Sequence, residues 1–217
     1  MSRLVVFDLD GTLIDSRRDL ADSANEMLTG FGAAPLTEEA IVRMVGAGAA
    51  QLVARALAAA HLDVRLEDAL ARFLSIYDGR LTRHTRPYRG IPEVLSELAS
   101  DGLKMALLTN KPLDASVRIL DTFDLSRFFR LRVGGDGPWP RKPAPEGLRF
   151  LMKEESSQPS DTILVGDSAV DLATAQNAGV GICLARYGFG FADVAPEMLK
   201  GGERIADEPR DIAKAVR

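Results

Sequence analysis

Apolar residues along this chain form two patterns, and each pattern predicts a different kind of element. Short, unbroken apolar runs predict strands buried on both faces, because such strands need no alternation of apolar and polar positions. Apolar residues that recur every three or four positions predict amphipathic helices. The predicted strands span residues 4–7, 105–109, 131–134, 163–165, 180–184 and 204–206.

Beyond residue 85, helical patterns alternate with these strands along the chain. Repeated strand–helix units joined by crossovers predict a doubly wound parallel sheet of the α/β class, with a Rossmann-like arrangement. The helices predicted in this part span residues 91–98, 113–123, 146–153 and 172–178, and a last one begins at Asp211.

Residues 16–84 carry helical patterns with no strand pattern between them. Ser16 is predicted to cap the first of these helices, which ends at Gly30 and Gly32, and Thr37 to cap the second. Two further helices are predicted at 49–60 and 66–81. A stretch this long exceeds an ordinary crossover connection between two parallel strands. We therefore expect an inserted all-helical domain at 16–84, within a core formed by 1–15 and 85–217.

Composition and charge exclude several classes of protein. With 217 residues, 46% hydrophobic and 27% charged, the chain is ordinary for a globular protein. A net charge of −4 and the lack of basic runs interleaved with aromatic residues argue against nucleic-acid partners. No apolar stretch reaches the length of a membrane span, and Cys183 alone forms no disulfide framework. We expect a cytoplasmic protein without membrane partners, a monomer or homodimer.

Polar residues follow the predicted strands where each strand ends. Asp8 and Asp10 come after the first, Thr109 ends the second, and Asp167 follows the strand at 163–165. Carboxyl ends of strands in open α/β sheets are where ligands bind. Acids buried there repel one another unless a cation compensates them, and Mg²⁺ suits an all-oxygen ligand set. The pattern favours a metal site over a helix cap beginning at Asp8.

Four motifs occur in a fixed order along the chain: Asp8-x-Asp10-Gly11-Thr12, Thr109-Asn110, Lys142-Pro143 and Gly166-Asp167-Ser168-x-x-Asp171. Together they resemble those of the haloacid dehalogenase-like phosphohydrolase superfamily. The resemblance implies a Mg²⁺-dependent phosphomonoester hydrolase that works through an aspartyl-phosphate on a small phosphorylated metabolite.

The resemblance also implies a role for each motif residue. Asp8 would attack phosphorus and bind Mg²⁺. Asp10 would serve as general acid and base, and would reach the metal through its main-chain carbonyl. Asp167 would be the third metal ligand. The supporting residues would be Gly11 and Asp171, and the phosphate-binding residues would be Thr109, Asn110 and Lys142.

Within the superfamily, Asp10 favours a phosphatase over a dehalogenase, because dehalogenases lack an acid at that position. Phosphomutases share all four motifs but usually carry a histidine and a lysine soon after the first, and residues 16–36 contain neither. Hydrolysis is therefore favoured. A phosphomutase and a non-catalytic binding module stay open as alternatives.

The inserted helices occupy the position of the type 1 cap of this superfamily. The loop Gly46-Ala47-Gly48 and the segments around Tyr88 and Tyr187 resemble bacterial phosphoglycolate phosphatases, which implies 2-phosphoglycolate as substrate. Departures from that pattern, at Arg17-Arg18, Trp139 and Ala144, bear on the substrate and not on the reaction. A sugar phosphate, a nucleotide or pyrophosphate is the alternative substrate.

Overall fold

The structure is a computed structural model that describes residues 3–217. Its strands are, in chain order, β1 (Leu4–Phe7), β2 (Ile14–Asp15), β3 (Arg86–Pro87), β4 (Lys104–Leu108), β5 (Leu131–Val133), β6 (Thr162–Gly166), β7 (Gly181–Ala185) and β8 (Arg204–Ala206). Its α-helices are α1 (Arg17–Gly30), α2 (Glu38–Val42), α3 (Ala49–Ala59), α4 (Leu66–Asp78), α5 (Ile91–Ser100), α6 (Leu113–Thr122), α7 (Glu146–Glu154), α8 (Ala169–Ala178) and α9 (Asp211–Val216).

Six of the strands form one parallel sheet in the order β5-β4-β1-β6-β7-β8. The first strand lies inside the sheet, with Phe7 opposite Leu107 of β4 on one side and Val165 of β6 on the other. The chain passes from β1 to β4 and β5 on one side, then returns to build the other side. Strand order reverses next to β1, where open α/β sheets bind ligands. The predicted α/β class with a doubly wound parallel sheet is confirmed.

The first strand shows why unbroken apolar runs predicted buried strands. Val5 and Phe7 point to one face and belong to the larger apolar cluster, while Leu4 and Val6 point to the other face and join a second cluster. All four residues are fully buried. Because helices cover both faces of the sheet, an alternation of apolar and polar residues along β1 would have buried polar side chains among apolar ones.

The inserted helices form their own packed group, in which α1 contacts each of α2, α3 and α4. Thr37 caps α2 as predicted, since its hydroxyl accepts a hydrogen bond of 3.2 Å from the Ala40 N–H. The predicted capping by Ser16 is wrong. Ser16 precedes α1, but its hydroxyl donates to the Asp10 carboxylate at 2.6 Å and makes no cap hydrogen bond. The hydrogen bond to a carboxylate is charge-assisted and therefore stronger than a cap bond between neutral groups, so it sets the direction of the Ser16 hydroxyl.

A short antiparallel pair, β2 with β3, lies where the chain enters and leaves the inserted helices, and the sequence patterns did not predict it. Two residues are too few to show an alternation. The buried carboxylate of Asp19 in α1 strengthens this crossing point: it accepts from the N–H groups of His84 and Thr85 and from the Thr85 hydroxyl, at 2.7–3.1 Å. Division of the chain into a core and a domain at 16–84 stays a prediction.

No helix among residues 3–217 is both long enough and apolar enough to cross a membrane.

Candidate active site

Three buried aspartates meet at the carboxyl ends of β1 and β6. Asp8, Asp167 and Asp171 each offer a carboxylate oxygen, and these atoms lie within 4.8 Å of one another. The buried Lys142 ammonium lies 2.8 Å from Oδ1 of Asp8 and 2.6 Å from Oδ1 of Asp171. One ammonium thus faces three carboxylates, so the ionised cluster has a surplus of negative charge.

The pKa values of these groups reflect that surplus. Burial raises the pKa of Asp8 to about 6, and the charge of Asp171 adds to the rise while Lys142 opposes it. Burial and the charges of Asp171 and Asp8 raise the pKa of Asp167 well above its usual range. Burial lowers the pKa of Lys142, but the carboxylates of Asp171 and Asp8 outweigh it, so that the net shift is upward. A cation with oxygen ligands would relieve the repulsion between the aspartates.

Asp171 is held by the start of its own helix. Its Oδ2 accepts from the backbone N–H and the hydroxyl of Ser168, at 3.1 and 2.6 Å, and the Ser168 hydroxyl accepts in turn from the Asp171 N–H. This reciprocal pair is a capping box at the first turn of α8. Since Oδ1 contacts Lys142, both carboxylate oxygens of Asp171 are engaged. The contacts favour a supporting role for Asp171, which holds Lys142.

The backbone around Asp167 leaves room for its carboxylate and little else. Its Oδ2 accepts from the Gly190 N–H at 2.8 Å, and its Oδ1 accepts from the Thr12 hydroxyl at 3.3 Å. Gly11 has a φ of +87°, and a Cβ there would lie 2.0 Å from Oδ2 of Asp167. A Cβ at Gly188 would lie 2.3 Å from Cβ of Asp167. Glycine is required at both positions because any side chain would displace the carboxylate.

Asp10 lies in a second charged group. Its Oδ1 accepts from the Ser16 hydroxyl at 2.6 Å, and the Lys111 ammonium contacts Oδ1 and Oδ2 at 3.0 and 2.8 Å. The same ammonium lies 4.6 Å from the ring centroid of Tyr77 in α4. Burial lowers the pKa of Lys111, but the Asp10 carboxylate outweighs it and the net shift is upward. Here one ammonium faces one carboxylate.

Sequence reasoning missed Lys111. It follows Thr109-Asn110 directly, so its place just beyond a strand's carboxyl end was visible, and the same argument that selected Thr109 applies to it. Its pairing with Asp10 was not visible, because the sequence does not show the direction in which either side chain points. Ser16 was likewise considered only as a helix cap.

Thr109 and Asn110 connect these charged groups to the inserted helices. Thr109 is buried, and its hydroxyl accepts from the Lys111 N–H at 3.2 Å. The Asn110 amide donates to the carbonyls of Gly46 and Lys142, both at 3.0 Å. Gly46 belongs to the loop between α2 and α3, so Asn110 joins that loop to the segment that carries Lys142. The Asn110 Oδ1 atom is buried without a hydrogen-bond partner among the described residues.

A cavity of about 220 Å³ lies between the sheet edge and the inserted helices. The sheet side contributes Asp8, Asp10, Thr109, Asn110 and Lys111. The side formed by the inserted segment is mostly apolar and includes Leu20, Val45, Ala49, Leu52, Phe73 and Tyr77.

The structure thus brings the predicted site residues into two adjoining groups. Asp8, Lys142, Asp167 and Asp171 form one, with Gly11 packed against Asp167. Asp10 belongs to the other with Lys111, and Thr109 and Asn110 line the cavity beside it. This geometry is consistent with the predicted roles, which stay predictions.

Known proteins that resemble this chain in sequence or structure are named as haloacid dehalogenase-like hydrolases or phosphoglycolate phosphatases. The model of the family described as haloacid dehalogenase-like hydrolase matches residues 5–185. Phosphoglycolate phosphatase 1 of Pseudomonas aeruginosa is 39% identical over an alignment of 221 positions, which covers 98% of this chain and 79% of that protein. Phosphoglycolate phosphatase of Rhodospirillum rubrum is 39% identical over 202 residues, or 90% and 84% of the two chains.

Among solved structures, a protein of Haemophilus somnus named as a predicted phosphoglycolate phosphatase superimposes with a TM-score of 0.93. It is 28% identical, and the match covers 100% of this chain and 98% of that one. These similarities confirm the family resemblance that the motifs indicated and the prediction of a phosphatase. The chain belongs to the haloacid dehalogenase-like hydrolase family.

Proposed function

We propose that this chain is a Mg²⁺-dependent phosphomonoester hydrolase that forms an aspartyl-phosphate on Asp8 and acts on 2-phosphoglycolate. The observation that carries the proposal is the buried Asp8 carboxylate, held 2.8 Å from the Lys142 ammonium in a cluster with too little positive charge. The names of the relatives from Pseudomonas aeruginosa and Rhodospirillum rubrum support this substrate.

The reaction divides into two displacements at phosphorus. Oδ1 of Asp8 stays bound to Lys142 while Oδ2 forms a bond to phosphorus and the bond from phosphorus to the ester oxygen breaks. The leaving alkoxide takes a proton from Asp10. A water then attacks the phosphoryl group and gives its proton to Asp10, and the bond to Asp8 breaks to release phosphate. Covalent catalysis replaces one difficult displacement with two easier ones.

Lys142 and Thr109 bind the phosphoryl group during both displacements. The Lys142 ammonium already lies beside the attacking carboxylate, so its charge also offsets the charge that develops on the phosphoryl oxygens. The Thr109 hydroxyl accepts from a backbone N–H, and its own proton is available to a phosphoryl oxygen. Asn110 keeps the Lys142 segment in position through the carbonyl of Lys142.

The residues of the cluster fit a magnesium ion. The donors are carboxylate oxygens, which hard divalent cations prefer, and their burial without enough positive charge favours a bound cation. Asp8 and Asp167 would hold the ion through their carboxylates, and Asp10 through its main-chain carbonyl. When bound, Mg²⁺ supplies positive charge to the phosphoryl oxygens.

The helices of residues 16–84 are proposed to form a cap domain over this site. Their mutual packing, the β2–β3 pair at the crossing point and the cavity beneath them support this division. A cavity of about 220 Å³ is below the range of about 300–1,000 Å³ for drug-sized ligands. The partner is therefore proposed to be a small phosphorylated metabolite. A cytoplasmic monomer or homodimer stays the expectation from the sequence.

Phosphate release from a panel of phosphomonoesters, with Mg²⁺ and with EDTA, tests the proposal. We expect release that requires Mg²⁺ and favours 2-phosphoglycolate, and loss of about 10⁴-fold or more in Asp8→Asn because the amide removes both the nucleophile and its charge. Circular dichroism should show that the variant keeps the fold. Substantial phosphatase activity in Asp8→Asn would refute the aspartyl-phosphate, and isomerised ester in place of free phosphate would indicate a mutase.

A further inference from the structure

The part of the cavity that would hold the leaving group is lined mostly by apolar side chains of the inserted helices, with Lys111 as its cation. Residues of α1, α3 and α4 supply leucine, alanine and aromatic side chains, and the charged residues at the rim are acidic. Asp78 and Asp114 at that rim both pair with Arg118. Among the described residues that line the cavity, Lys111 is the single cation. An anionic group on the leaving group therefore has one place to bind.

One donor of the Lys111 ammonium does not contact Asp10 and can turn to a ligand. An ammonium has three N–H donors, and two of them are accounted for by the contacts to Oδ1 and Oδ2 of Asp10. The third donor lies beside Tyr77, whose ring centroid is 4.6 Å away and whose hydroxyl also interacts with the ammonium. Lys111 can thus stay bound to Asp10 while its third donor turns from Tyr77 to a substrate oxygen.

The Tyr77 hydroxyl is a second donor at the same place. It is buried, Tyr77 lines the cavity, and the hydroxyl has no hydrogen-bond partner among the described residues. The nearby Lys111 ammonium carries donors only, so it cannot accept the hydroxyl proton. A buried donor without an acceptor is unfavourable, and a ligand oxygen would remove the penalty.

We propose that Lys111 and Tyr77 bind a carboxylate on the leaving group, so that the enzyme selects phosphate esters of small hydroxy acids. This inference rests on the proposed function. Asp10 must reach the ester oxygen to protonate it, and Lys111 Nζ lies 2.8 Å from Asp10. A group bound to Lys111 is therefore within a few bonds of the ester oxygen. The carboxylate of 2-phosphoglycolate, one carbon beyond the ester methylene, meets that requirement.

A pair of matched substrates tests the assignment. In 2-hydroxyethyl phosphate, a hydroxymethyl group replaces the carboxylate of 2-phosphoglycolate. We expect wild type to favour 2-phosphoglycolate by kcat/KM in Mg²⁺, and the ratio of the two kcat/KM values to fall about 10- to 100-fold in Lys111→Met and about 3- to 10-fold in Tyr77→Phe. The ratio cancels any damage to Asp10 that both substrates share. Ser75→Ala, on the exposed side of α4, should leave the ratio unchanged.

Each other outcome decides against the carboxylate site. If Lys111→Met and Tyr77→Phe lower kcat/KM equally for both esters, Lys111 only positions Asp10 and the inference is wrong. A wild-type preference for 2-hydroxyethyl phosphate would refute it as well. No phosphate from either ester in Mg²⁺ would refute the proposed function, and the inference with it. Tyr77→Phe keeps the aromatic ring, so it decides the question if Lys111→Met does not fold.

Discussion

The two aspartates of the first motif, two residues apart, lie in groups of opposite character. Asp8 shares the Lys142 ammonium with Asp171 and lies close to Asp167, so that three carboxylates face one cation. Asp10 is the one carboxylate that contacts the Lys111 ammonium among the described residues, and it also accepts a hydrogen bond from Ser16. The first group combines the sheet edge with the first turn of α8 and the segment before α7, whereas the second reaches Tyr77 in the inserted helices.

In the proposed function, this difference in charge separates two tasks. The surplus negative charge of the first group favours a metal ion and, with it, the proposed phosphoryl chemistry. The balanced pair of Asp10 and Lys111 has no such need, and its contact with α4 places it beside the proposed leaving group. On this proposal the reacting end depends on the sheet edge and the segments that follow its strands, while the selective end is shared with the inserted helices.

The group of Asp8, Asp167, Asp171 and Lys142 has more negative than positive charge and is called here the unbalanced group. Removing Lys142 should give the largest effect, because it takes the ammonium out of this group. Lys142→Met leaves Asp8, Asp167 and Asp171 without their ammonium. We expect the free energy of unfolding in EDTA to fall by about 3–5 kcal/mol. Phosphate release should fall about 10³-fold or more, since in the proposed reaction Lys142 binds both the nucleophile Asp8 and the phosphoryl group. Urea unfolding and phosphate release measure the two effects.

Lys153→Met is the matched control for Lys142→Met, because Lys153 is an exposed lysine in the last turn of α7. We expect it to change the free energy of unfolding by less than about 0.5 kcal/mol. If Lys142→Met were as stable as this control in EDTA, the three carboxylates would not depend on the ammonium.

Asp10→Asn tests the balanced pair and should have a smaller effect. The amide keeps the shape of the side chain but carries no proton that can be transferred, so both displacements should slow, by about 10²- to 10³-fold in kcat. Rapid quenching should then show a phosphorylated protein that forms and decays slowly. An unchanged kcat would remove Asp10 from the acid–base role, and loss of folding by circular dichroism would indicate that Asp10 mainly neutralises Lys111.

The sequence predicted the unbalanced group far better than the balanced one. Asp8 and Asp167 each follow an unbroken apolar run, and parallel strands bring their carboxyl ends to one edge. Every strand of the large sheet begins and ends within one residue of its predicted bounds. For β1 and β6 the reason is burial on both faces, which leaves an unbroken apolar run, whereas the edge strands β5 and β8 are partly exposed. Lys142 and Asp171 were found through their motifs.

The balanced pair depends on contacts that no local pattern encodes. Lys111 meets Asp10 across neighbouring strands, and Tyr77 reaches it from a helix whose own pattern shows only that Tyr77 is buried. Ser16 is a common type of helix-capping residue, yet its hydroxyl goes to a carboxylate that lies close only in the folded chain. Likewise β2 and β3 are too short for any period, and only their mutual pairing defines them.

The stability of the metal-free protein should show the surplus charge directly, as the smallest of these effects. Because burial raises the pKa of Asp8 from 3.8 to about 6, the folded state binds the proton more tightly than the unfolded state. The resulting stability is fully present below about pH 4 and is lost as the pH rises through about 6, by about 3 kcal/mol in all. The raised pKa of Asp167 acts in the same direction.

Asp8→Asn isolates this contribution, because its amide does not titrate. In EDTA, we expect wild type to lose about 2 kcal/mol relative to Asp8→Asn between about pH 4.5 and about pH 7.5, or about 4–8 °C in Tm. Saturating Mg²⁺ at the higher pH should reverse the order, since the ion stabilises the ionised wild type more strongly. Asp10→Asn should show no such gain in EDTA, because its carboxylate already has a cation. Equal pH profiles for wild type and Asp8→Asn in EDTA would contradict the contrast between the two groups.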